Sequence, residues 1–119
     1  MTTRRLKSLD HLSGRGLMTA EGRETIPVHY RLHIQRWMIR PMPGDQEIAG
    51  TFTVSASVQT DQPDQLIQGL LDDVNYHLQL VDGTRVGVSV QGTTAFSKHY
   101  KLGITDANEL AKKYEDKAS

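Results

Sequence analysis

Side-chain alternation sets the tightest limit on how this chain can fold. From Ile26 to Ile34 the even positions are Ile26, Val28, Tyr30, Leu32 and Ile34, while the odd positions are Pro27, His29, Arg31 and His33. From Ile48 to Val58 the even positions are Ile48, Gly50, Phe52, Val54, Ala56 and Val58, set against Thr51, Thr53, Ser55 and Ser57. The pattern returns in Val74, Tyr76, Leu78 and Leu80, in Val86, Val88 and Val90, and in Phe96, Tyr100 and Leu102. A period of two places successive side chains on opposite sheet faces, so each run predicts a half-buried strand. The supply of β-branched and aromatic residues agrees.

Parity also constrains the turns, because directly opposed residues of an antiparallel pair lie on one face. A two-residue loop at Asp82-Gly83 would set Leu78 opposite Gly87 and mix the faces. A three-residue loop Val81-Asp82-Gly83 closes Leu80 against Thr84 and pairs Leu78 with Val86 and Tyr76 with Val88. Gly83 then occupies the left-handed position of a type I turn with a bulge, where a missing Cβ removes the steric penalty. The same reasoning applied to Ala20-Glu21-Gly22 pairs Met18 with Glu24 and Gly16 with Ile26.

Two segments break the β pattern. Leu66, Ile67, Leu70 and Leu71 fall at helical spacing between residues 64 and 72, with Asp61 or Asp64 as N-cap, and this short helix is expected to cover an open end of the sheet. A terminal helix is predicted over residues 106–117, capped by Thr105 or Asp106, with Leu110 and Tyr114 on a face shared with Ala107 and Ala111. Met38 to Glu47, with two prolines and a glycine, is expected to be an exposed connection. Residues 1–13 are expected to form an N-terminal tail without strand structure, Leu6, Leu9 and Leu12 lining at most a helical turn. Residues 14–119 then make one domain. The expected fold is mostly β: a six-stranded antiparallel barrel or strongly bent sheet, with a short covering helix and a C-terminal helix.

Composition narrows the function classes. The chain has 119 residues, room for one core, and its 14 basic and 14 acidic side chains cancel. A dedicated nucleic-acid binder usually carries a basic excess, so nucleic acid is not an expected partner. Absence of cysteine removes disulfides, thiolate metal sites and cysteine nucleophiles together. Basic residues at the N-terminus are not followed by an apolar signal core, and no run approaches the roughly 20 apolar residues of a membrane span. The expectation is a cytoplasmic chain with no membrane segment.

Candidate chemistry is sparse. His29 and His33 are four apart, but on a strand that spacing separates them by roughly 13 Å, too far to share an ion held at about 2 Å from each ligand. A metal site would need His77 or His99 from a neighbouring strand together with a carboxylate, and all four histidines have outward parity. No metal or cofactor is expected. The serines of Ser55-Ala56-Ser57 and Ser89 lie within strands, away from any nucleophile elbow, and Asp72-Asp73 suits capping, so no catalytic residue is assigned. Arg36 and Arg40 flank Trp37, and two guanidiniums beside an indole could grip a phosphate and stack on a base. Together with His29, Arg31 and His33 on the outer face of the second strand, these six residues form the candidate ligand-binding set.

The pieces GRGLMTAEGRETIPVHYRL, GTFTVSASV and YHLQLVDGTRVGVSV, spanning about residues 14–103, resemble small uncharacterised bacterial β-barrel proteins of no assigned activity. Six strands followed by a terminal helix, with IPVHYRL and GITDANELAKKYE, are similar to the layout of the PilZ family, whose barrels bind cyclic dinucleotides. That family joins an Arg-x-x-x-Arg to an Asp/Asn-x-Ser-x-x-Gly segment. Here Arg36 and Arg40 supply the first spacing, after the expected strand rather than before it, and the second segment is absent. The expected function is a non-catalytic binding or protein-interaction module, its occupant a protein partner or a second copy of the chain. The alternative is a PilZ-like receptor with Arg36 and Arg40 as phosphate contacts.

Overall fold

The computed structural model describes residues 2–93 and 99–115. Among the described residues there are six antiparallel strands: β1 (Thr3–Thr19), β2 (Ile26–Arg40), β3 (Ile48–Gln59), β4 (Asn75–Gln79), β5 (Arg85–Thr93) and β6 (His99–Asp106). Helix α1 (Pro63–Leu71) joins β3 to β4, and α2 (Asn108–Glu115) follows β6. The strands lie in the order β1-β2-β3-β6-β5-β4 and the sheet closes into a ring through β4 and β1. The inward parity holds through the ring: Ile26, Val28, Tyr30, Leu32, Ile34, Ala56, Val58, Tyr76, Leu78, Val86, Val88, Tyr100 and Leu102 are all buried. Phe96 lies outside the described residues.

The β4–β5 hairpin has the three-residue loop that parity requires. Leu80 N–H donates to Thr84 O at 2.8 Å, Gly83 N–H donates to Leu80 O at 3.0 Å, and Gly83 has φ +90°. Leu78 faces Val86 and Tyr76 faces Val88. The β1–β2 hairpin departs from expectation by two residues: Met18 faces Ile26 and Gly16 faces Val28, and residues 20–25 form the connection. A shift of two preserves the faces, and it replaces an apolar–acidic pair in the core with Met18 against Ile26. Glu24 is released to accept a hydrogen bond from Gln65 Nε2 at 2.8 Å.

Residues 3–13 of the expected N-terminal tail are strand. Thr3 to Ser13 pair continuously with β2 apart from one register shift between Ser8 and Asp10. That bulge hid the strand from a parity argument, because it exchanges the faces: Leu6 and Leu12, both even, lie on opposite sides of it. A second shift, between Arg36 and Met38 against Phe52 and Ala49, turns Ile48 outward, where it is 57% exposed instead of inward as its parity implies. Strand β2 continues to Arg40, so the connection read as Met38 to Glu47 is confined to residues 41–47.

Both expected helices are present, with corrections in detail: α2 starts at Asn108 rather than at residue 106, and residues 116–117 of the expected helix lie outside the described residues. Helix α1 starts at Pro63, with Gln62 rather than Asp61 or Asp64 in the cap position and no side-chain cap bond; proline already has no N–H to satisfy. It inserts Leu66 into the core, while Ile67, Leu70 and Leu71 stay exposed. Asp72, just past its end, binds Arg23 at 2.7 Å, and this bond, with a second from Gln68, holds the Asp72 carboxyl below its ordinary pKa. In front of α2, Asp106 Oδ1 accepts from Asn108 N–H at 2.9 Å. Leu110 and Tyr114 are buried, anchoring the helix with roughly 1.5–3 kcal/mol per apolar side chain.

Candidate functional site

Two regions are not required by the ring core. The first arises from strand length. Among the described residues, β4 meets β1 only at Leu17–Thr19, and β6 meets β3 only at Ala56–Gln59. The beginning of β1, the end of β2 and the beginning of β3 therefore run on as a three-stranded arm, which gives the molecule its 52 × 30 × 21 Å outline.

The arm has two unlike faces. The face continuous with the core carries Ile34 and Val54, then Arg36 and Phe52, then Met38. Past the bulge in β1, Lys7 stands opposite Arg36, Arg5 opposite Met38 and Thr3 opposite Arg40. Four cations thus share this face. Glu47 is the acid among them: it accepts from Arg5 at 2.7 and 2.8 Å and lies 3.9 Å from Arg40. The Arg5 bond holds the Glu47 carboxyl below its ordinary pKa and raises that of Arg5 itself. The Arg36 guanidinium lies 5.9 Å from the Phe52 ring centre, and its buried Nε has no hydrogen-bond partner among the described residues. The opposite face carries Leu6 directly across from Trp37, with Ile39 across from Ile48. Leu6, Trp37 and Ile48 are exposed, as is Met42 in the connecting loop.

The six residues of the candidate set are therefore divided. Arg36 and Arg40 share the inner face of the arm, whereas Trp37, between them on an alternating strand, is on the outer face. The indole and the two guanidiniums do not form one grip. His33 stacks on His11 with ring centres 4.0 Å apart, and its Nε2 lies 2.9 Å from Ser8 Oγ. Arg31 is exposed, between Ser13 and Ser57 in the sheet. Among the described residues, no group of three or more His, Asp or Glu is placed to hold a metal ion.

His29 belongs to the second region, a cleft of about 750 Å³ at the ring end remote from the arm tip. Its floor is the outer face of β1, β2, β3 and β4, with Arg15, Leu17, Pro27, His29, Gln59 and Gln79. Thr60 and Asp61 stand on one side, and Leu80 and Val81 of the β4–β5 hairpin on the other. Arg15 Nε donates to His29 Nε2 at 3.3 Å. Outward parity in the sequence pointed to His29 and could have pointed to Arg15. The cleft itself needs the hairpin to fold back over β1, which no local pattern announces.

Among the described residues, no helix is long and apolar enough to cross a membrane. No family model, curated protein or solved structure matches this chain.

Proposed function

We propose that this chain is a non-catalytic interaction module, a six-stranded barrel of the cytoplasm that engages a protein partner through its three-stranded arm. The observation that carries this reading is the pairing of an exposed apolar face (Leu6, Trp37, Ile48) with a cationic one (Arg5, Lys7, Arg36, Arg40) on strands that extend past the ring. Apolar side chains on an extended ribbon are costly to leave in water unless something covers them. Charge complementarity makes that partner a protein presenting acidic and apolar side chains together. The test is a photocrosslinking residue at Ile48 or Met42, with Leu71 as a more exposed apolar control. One discrete adduct from the arm positions and none from the control supports the reading, and equal capture from all three positions would sink it.

A second reading keeps the receptor alternative, because Arg36 and Arg40 share a face and Arg36 Nε has an open donor. It predicts a saturable heat when a cyclic dinucleotide is titrated in, removed by Arg36→Gln. A flat titration excludes it.

A further inference from the structure

We infer that the cleft at the other end of the ring is a binding site for a small amphipathic carboxylate, a ligand with one carboxylate and a compact apolar body. The inference stands apart from the arm, since no cleft residue belongs to it. Its volume of about 750 Å³ lies within the roughly 300–1,000 Å³ range of small-molecule sites.

The polar end of the ligand follows from Arg15. This guanidinium is oriented by its Nε–H bond to His29, and it makes no ion pair among the described residues. Its two terminal amino groups are thereby left as an oriented fork, which matches a carboxylate in a bidentate way that an ammonium could not. The one acid in the lining, Asp61, comes from the β3–α1 segment and is not paired with Arg15. Gln59 and Gln79 flank the site with neutral amides.

The apolar end follows from Leu17, Pro27 and Val81. Leu17 is 41% and Val81 72% exposed, and both line the cleft, Leu17 from the outer face of β1 and Val81 from the hairpin, where its Cγ2 lies against Gly14. Val81 is held there by its own backbone, whose N–H donates to Tyr30 Oη at 3.2 Å. A short alkyl or ring body laid on Leu17 and Pro27, which stand directly opposite each other on the face that carries Arg15 and His29, would remove apolar surface from water, with the carboxylate reaching Arg15.

The probe is octanoate, with octanol as its uncharged counterpart, titrated into the full chain and followed by heteronuclear NMR. Octanoate should saturate and shift Leu17, Val81 and Arg15 Nε, and octanol should bind more weakly. Arg15→Gln should weaken octanoate by about tenfold or more while leaving octanol unchanged. Asp61→Asn should not weaken octanoate, since it removes a repulsive charge. The proposal is overturned if octanoate and octanol bind alike, if Arg15→Gln has no effect on a folded protein, or if shifts appear only on the arm. Failure here leaves crosslinking at Ile48 untouched, so the two ideas fall separately.

Discussion

The Tyr114 hydroxyl donates to Asp10 Oδ2 at 3.0 Å, joining the last helix to the first strand across 104 positions of sequence. The Tyr114 ring also lies 6.1 Å from that of Phe52, so one side chain of α2 touches β1 and β3 where the ring gives way to the arm. Burial, then the Asp10 bond, pushes the Tyr114 hydroxyl up to about 12 from an ordinary value of 10.0.

Tyr114→Phe keeps the ring and removes the hydroxyl, and should cost about 1–2 kcal/mol in a denaturant titration. The pH dependence has a definite sign. Because the folded pKa is raised, this contribution is fully present below pH 10.0 and is lost as pH rises toward about 12. The stability difference between wild type and Tyr114→Phe should therefore shrink across that alkaline window. A constant difference would show that the hydroxyl is not the linked group.

Gly83 at φ +90° is required by the turn and not by space, since nothing lies within 4 Å of where its Cβ would stand. Gly83→Ala should destabilise by about 1–2 kcal/mol through left-handed strain alone. Gly83→Asn should recover part of the loss, because a short polar side chain tolerates that region. Unfolding midpoints measure both.

Gly16 presents the opposite case. A Cβ there would sit 2.6 Å from Gln79 O and 3.0 Å from Tyr30 Cδ1, so the close approach of β4 and Tyr30 to β1 depends on its absence. Gly16→Val should cost about 1–3 kcal/mol or more from overpacking. Gly92→Ala is the control, since among the described residues nothing lies within 4 Å of its Cβ position, and it should be neutral or slightly stabilising.

Glu47 clamps the arm tip to Arg5 and Arg40 without contributing to the ring core. Glu47→Gln should speed amide exchange at Thr3–Leu6 and Met38–Arg40 while leaving the global unfolding midpoint unchanged. Since Arg5 depresses the Glu47 pKa, the clamp is intact above the ordinary value of 4.5 and is lost as pH falls through the lower folded value. Acid should fray the arm first. Uniform exchange across arm and ring under those conditions would contradict the assignment.

Side-chain alternation alone dictates the local geometry of the ring. A period of two selects one face for Ile26 to Ile34 and one for Tyr76 to Leu80, and burial of that face admits a single three-residue loop at Val81-Asp82-Gly83. Both are short-range consequences of side-chain alternation, which is why they were legible without the fold. The arm was not. Its first strand carries Arg4, Arg5, Lys7 and a bulge at Leu9, so alternation breaks where the strand continues, and only pairing with β2 holds residues 3–13 extended. The same two bulges decided which cations face inward with Arg36 and which apolar residues face outward with Trp37. The cleft likewise depends on Gly14 and Gly16 leaving room for the β4–β5 hairpin and the Tyr30 ring beside β1. Register between distant strands is settled by which faces can be buried together, and that competition is resolved only when the whole sheet has closed.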